Sequence, residues 1–281
     1  MFMFLTSTGR QIPLGPDAAH MWLMVEGKPT PRPFYLRWLL PWACRNVMWR
    51  WWAIWAVSWP LIALGAGWWR LTAGDDLYQA VLVAGLIVGL PGILGPNVVI
   101  PVGVDLPTTA LNLLGVAALE HGWWPLAVAL FTVAGMIKES APIWPALWVM
   151  SPVPLVALAA PAVRAIVARP GPSPFGPMFQ EIADHPIRTA WPRHLPHVRD
   201  AWWFVAPFGV TLVGLYDAPW QLVVVLVVAH LQLLAATDHV RLVAHAAGPA
   251  MAVAASTHIG AEWVVVALVA HFFWWRTPQR G

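Results

Sequence analysis

Charge and sulfur are both scarce in this chain. Only 10% of its 281 residues are Asp, Glu, Lys or Arg, and Cys44 is the single cysteine. One cysteine excludes an internal disulfide and every cysteine-based zinc or redox motif, so Cys44 reads as an inert thiol beside a membrane surface. A net charge of +3, with no basic run interleaved with aromatics, lacks the electrostatic footprint of a nucleic-acid partner. Ten-residue alternating strands are absent as well, which argues against a membrane barrel. No repeat of fixed period occurs, and low complexity is confined to Pro170–Pro177.

Apolar residues and tryptophan are plentiful instead. The chain is 59% hydrophobic, has a mean hydropathy of +0.64, and carries 21 tryptophans. A soluble domain of this composition would expose more apolar surface than water tolerates. Five Trp-Trp pairs (51/52, 68/69, 123/124, 202/203 and 274/275) stand at the ends of apolar runs. Indole, with a large apolar body and one N–H, is most stable where hydrocarbon meets headgroup. These features predict an all-α, polytopic integral membrane helical bundle in the cytoplasmic (inner) membrane, with membrane lipids as its solvent.

A spanning helix needs about 20 apolar residues, fewer if buried among others. The runs predict spans at Trp51–Trp69, Leu77–Leu94, Leu106–Leu119, Trp124–Ile137, Ala141–Val163, Trp202–Leu215, Trp220–Ala236, Val243–Ala255 and Trp263–Trp275. Several are short enough to be half-helices, so about eight or nine crossings are expected. The whole chain, 1–281, forms one membrane domain: an interfacial segment 1–50, helical groups 51–163 and 201–276, and an extramembrane loop 164–200. That loop holds five Arg, seven Pro and three His, and the positive-inside rule puts it in the cytoplasm. Counting crossings from there puts Arg70, Arg241, Arg276 and Arg280 inside, and Asp105, Asp217 and Glu262 outside. The first 50 residues, with six basic side chains, then fall outside with no span to export them. An odd number of crossings and a cytoplasmic N-terminus is the alternative.

Ionisable groups in or beside a span are unfavourable by roughly 2.5–3.5 kcal/mol each, which makes them functional candidates. Asp17, after Pro16, either caps a helix starting at Ala18 or serves as a general base at the bilayer surface, with Arg37 holding an anionic phosphate bidentately. Lys138-Glu139-Ser140 is either a tight turn between spans or a phosphate-binding lysine in a membrane cavity. Adjacent residues on a helix do not face each other, so Lys138 and Glu139 should have different partners. Asp238 and Arg241 are a capped helix start with a positive-inside arginine, or a site. His230, His245 and His271 sit on separate apolar runs, and nothing in the sequence sets them at one depth, so haem is not expected. His194 and His197 make a poor metal motif. No metal and no cofactor is expected.

Three segments carry a resemblance. Asp17, Gly27, Pro33-Phe34-Tyr35-Leu36-Arg37 and Leu39-Leu40-Pro41 resemble the first-loop segment of polytopic glycosyltransferases of the GT-C superfamily. The stretch Ala134–Ala141 with Pro145 is similar to their junction of a basic residue, Glu and a small residue. Thr237–Leu242 followed by Pro249 is similar to a late Asp-x-x-Arg-Leu…Pro element in some of them. The resemblance implies a reduced member of this superfamily that moves a sugar from a polyprenyl-phosphate donor to an acceptor hydroxyl at the membrane's outer face. Asp17 would be the base, Arg37, Lys138 and Arg241 the phosphate ligands, and Glu139 and Asp238 supporting groups. Family members carry a span before this first loop, and here the first span begins at Trp51. The alternative is a non-catalytic scaffold or accessory subunit that packs on other membrane subunits.

Overall fold

The computed structural model of the chain describes residues 3–5, 11–13, 16–26, 28, 30–31, 34–45, 47–99, 103–171, 180–181, 184–194, 205–234 and 239–274. Their regular elements are helical apart from a small antiparallel hairpin, β1 (Met3–Leu5) with β2 (Gln11–Pro13). The helices are α1 (Pro16–Val25), α2 (Leu39–Cys44), α3 (Met48–Thr72), α4 (Leu77–Gly89), α5 (Pro91–Val99), α6 (Asp105–Glu120) and α7 (Trp124–Ile137), followed by α8 (Ile143–Trp148), α9 (Ala159–Val167), α10 (Pro186–His194), α11 (Trp220–Leu231), α12 (His239–Ala255) and α13 (Glu262–Trp274).

Among the described residues no single helix is both long and apolar enough to cross a membrane. α3 has the length, 25 residues, but seven of them are tryptophans and three more are Arg50, Arg70 and Thr72. The pair Leu77–Gly89 and Pro91–Asn97 passes only together, bent by 55°. Pro91 causes the bend: it has no N–H to donate and holds the preceding residue away from the helical region.

The core forms where glycine lets helices touch. A Cβ on Gly65 of α3 would lie 2.9 Å from the Leu114 nitrogen of α6, so α3 and α6 pack backbone to backbone. Such small-residue contacts are the usual way helices associate when lipid leaves no hydrophobic drive between them. Around this seam Ile62, Ala66, Leu82, Leu86, Leu113, Val116 and Phe131 are buried in one cluster. α3 and α6 run in the same direction and α7 returns. The far end of this trio is marked by His121 and Trp123 packed on Trp68. At its near end Met21, Trp22, Leu40, Cys44 and Trp51 close over Val104 and Ile137, which seats the N-terminal segment on the bundle.

Two expectations are corrected here. Ala141–Val163 is not one crossing. α8 dips inward until the Trp148 indole donates to the Ala246 carbonyl at 2.6 Å. Met150, at φ 48°, then turns the chain, and the 3₁₀ segment Val153–Leu158 returns beside α7. Arg164 of α9 finally donates to the Tyr35 carbonyl at the near end, so the segment enters and leaves at one end. The second correction follows, because a segment that returns to the end it left changes which end of the bundle the downstream residues reach. Asp105 and Arg241, expected at opposite faces, share the near end and lie 3.3 Å apart. Arg70, expected beside Arg241, sits at the far end on Asp75.

Candidate functional site

The near end holds a buried polar centre assembled from segments remote in sequence. α7 stops at Ile137 because Lys138 turns extended, at φ −144° and ψ 118°. Successive side chains on extended backbone point to opposite sides. Lys138 therefore turns inward, where its ammonium donates to Asp105 Oδ1 at 2.5 Å. Glu139 turns outward and takes two hydrogen bonds from Arg37, Nε at 2.8 Å and Nη2 at 3.0 Å. The two neighbours thus have different partners, separated by a strand-like step rather than by helical geometry.

Asp105 opens α6, and its other carboxylate oxygen meets Arg241 Nε at 3.3 Å. Its side chain is 4% exposed. Burial alone would raise this carboxyl's pKa, yet Lys138 and Arg241 outweigh it and hold the group well below the usual carboxylate range. Glu139 behaves likewise: burial acts upward, and the Arg37 guanidinium with its hydrogen bonds carries the balance downward.

Further polar groups continue along one face of α6. Thr109 and Asn112 follow Asp105 at i+4 and i+7, positions that share a helical face. Thr109 Oγ1 lies 2.6 Å from His245 Nδ1, and Asn97 Nδ2 lies 3.3 Å from His245 Nε2. An amide nitrogen only donates, so Nε2 accepts and Nδ1 carries the proton toward Thr109. Gly92 makes this approach possible, since a Cβ there would strike the Val240 carbonyl of α12. Asn112 donates to the Ala141 carbonyl at 2.9 Å. Its own oxygen, and the indole N–H groups of Trp22 and Trp51, are buried with no partner among the described residues. Trp22 and Trp51 belong to the cluster that covers Val104 and Ile137, the chain neighbours of Asp105 and Lys138.

Of the residues singled out in the sequence, Arg37, Lys138, Glu139 and Arg241 thus come together. Asp17 lies in α1, and its side chain is outside the described residues, as is the whole of Asp238. Asp105, Thr109, Asn112 and Asn97 were not among the site candidates read from the sequence, and His245 was weighed there only as a haem ligand. The i, i+4, i+7 polar stripe in Asp105–Leu114 was the signal available for three of them. His271 proves to be a clasp: it takes the Val210 N–H on Nε2 at 2.9 Å and meets the Gly89 carbonyl through Nδ1 at 2.7 Å, tying the 3₁₀ segment Gly209–Leu215 to the carbonyl freed at the α4–α5 break.

The groove at this end has other walls. A pocket of about 690 Å³ is lined by Met24, Val25, Trp38, Pro41, Trp42, Arg45, Val47 and Arg164. Among the described residues no group of three or more His, Cys, Asp or Glu is placed to hold a metal ion. Compared with protein-family models, with curated proteins and with solved structures, the chain matches none.

Proposed function

We propose that this chain is a multi-pass membrane protein that handles a lipid-linked phosphate at the basic end of its bundle, with glycosyl transfer from a polyprenyl-phosphate sugar as the reaction. The observation that carries the reading is the convergence of Arg37, Lys138 and Arg241 on one end of the bundle from three remote segments. These three basic side chains meet Asp105 and Glu139 among the described residues, and a basic cluster of this kind raises the local concentration of anions. The unpartnered oxygen of Asn112 and the two indole N–H groups offer polar contacts to a bound hydroxyl or water.

Membrane residence is supported by the outer faces of the helices. Leu64, Val81, Val223, Val227, Val265 and Val269 are each at least half exposed, while charged side chains gather at the two ends. Apolar surface of this extent needs lipid or protein to cover it. The ends differ in charge. Among the described residues Lys28, Arg37, Arg45, Arg50, Lys138, Arg164, Arg169, Arg188 and Arg241 outnumber Glu26, Asp105, Glu139, Glu181 and Asp184 at the near end, whereas the far end has Arg70 among Asp75, Asp76, Glu120, Asp217 and Glu262. By the positive-inside rule the near end, with the N-terminal segment, faces the cytoplasm. The donor is then met at the cytoplasmic leaflet, opposite to the face that the GT-C resemblance implies.

A second reading has its own observation. Lys138 and Arg37 are already closed onto carboxylates, which is how ion pairs clamp segments in a scaffold subunit. Transfer of labelled sugar from polyprenyl phosphate by the purified chain in lipid nanodiscs separates the two. A glycosyltransferase loses transfer in Asp17→Asn while the variant stays folded. Absence of transfer in the wild type, with Asp105→Asn unfolding the bundle, assigns the ion pairs to scaffolding.

A further inference from the structure

The pocket beside the polar centre has a composition that the proposed reaction does not use. Its walls are Met24 and Val25 of α1, Trp38, Pro41 and Trp42 at α2, Val47 ahead of α3, and two arginines, Arg45 and Arg164. Among the described residues no carboxylate lines it. Trp38 and Trp42 meet edge to face with ring centroids 6.5 Å apart, and Trp42 is 62% exposed. Apolar walls, a pair of indoles and two guanidiniums match the boundary between acyl chain and phosphate.

Arg45 adds a second, independent observation. It ends α2 at φ 47° and ψ −147°, a backbone region that favours glycine and is strained for a long side chain. Arginine nonetheless stands here, exposed, and its guanidinium has no hydrogen-bond or ion-pair partner among the described residues. Across the pocket, Arg164 donates to the Tyr35 carbonyl through Nε at 3.3 Å, which fixes the guanidinium and leaves its other N–H groups for a ligand. Helix capping gives no reason for arginine at position 45, since glycine would fill that role without strain.

We propose that this pocket binds the phosphate of an anionic phospholipid between Arg45 and Arg164, with its acyl chains along Trp38, Trp42 and Val47. The site is distinct from the Asp105 centre and rests only on the membrane part of the reading above. It docks the N-terminal segment and α9 to one leaflet through a bound lipid, as a regulatory or structural lipid does.

The test is native mass spectrometry of the delipidated full chain in neutral detergent, offered phosphatidylglycerol and phosphatidylcholine at equal concentration. The wild type retains one phosphatidylglycerol with a preference of about tenfold or more, the scale of two charge-assisted contacts. Arg45→Gly with Arg164→Gln brings the preference to within about threefold of none, and Arg45→Gly alone leaves thermal stability equal or higher because the strain is relieved. Arg169→Gln with Arg188→Gln, charges at the same end but outside the pocket, keeps the wild-type preference. Three outcomes overturn the proposal: retained preference in the pocket variant, equal loss in the control, or displacement of the lipid by millimolar inorganic phosphate, which assigns a free anion instead. A wild type that inserts into vesicles but shows no preference rejects the pocket and leaves the membrane reading standing.

Discussion

Lys138 Nζ and Asp105 Oδ1 lie 2.5 Å apart across 33 residues of sequence, joining the end of α7 to the start of α6 inside an apolar bundle. Neither group is stable there alone. Removing one partner of a buried pair leaves an uncompensated charge, which destabilises by roughly 3–5 kcal/mol, whereas removing both is far milder.

Asp105→Asn should therefore lower the unfolding midpoint sharply, because it leaves the buried Lys138 ammonium without the carboxylate it donates to. Lys138→Met added to Asp105→Asn should recover part of the loss. Thermal unfolding in detergent measures both, and an Asp105→Asn variant as stable as the wild type would show that the carboxylate does not hold the centre together.

Acid should act through the same groups. The folded pKa values of Asp105 and Glu139 are lowered, and each is above its folded value once unfolded. Their contribution is complete above the ordinary carboxylate pKa of about 4 and is lost as pH falls below it. Unfolding midpoints should stay level from neutral pH down to about pH 5 and drop beneath pH 4. In Asp105→Asn with Lys138→Met the drop should be shallower. A profile identical to the wild type in that variant removes Asp105 from the account.

Orientation can be read with single cysteines. Cys44 is fully buried, and burial pushes its thiol up to about 12 against the opposing Arg50 charge, so it stays unreactive at neutral pH. The wild type should take up no maleimide. An impermeant maleimide applied to intact cells should label Glu120→Cys and spare Arg169→Cys until the membrane is opened. The reverse pattern would turn the bundle over, and labelling of both would remove it from the membrane.

Element by element, local pattern carried much of the architecture. The apolar run Trp124–Ile137 is α7 to the residue, and Leu106–Leu119 is α6 less one residue at each end. Both boundaries are written in the chain, by Pro125 in the first turn of α7 and by the charged pair Lys138-Glu139 at its end. The run Ala141–Val163 misled because its apolar content fits a span of about 20 residues, while Pro142, Pro145, Pro152, Pro154 and Pro161 break it into short pieces that fold back.

The candidate site divides along the same line. Charges inside an apolar chain are conspicuous from composition alone, because water is what normally stabilises them; Arg37, Lys138, Glu139 and Arg241 were legible for that reason. Which charge faces which partner was not. The single extended step at Lys138, the close approach at Gly92 and the re-entrant fold of α8 and α9 decide the pairing, and all three depend on contacts between segments far apart in sequence. Sequence thus determined a tryptophan-rimmed helical chain with a few misplaced charges. Tertiary packing alone brought Asp105 under Lys138 and Arg241, because a carboxylate buried away from water is stabilised by the cations it meets.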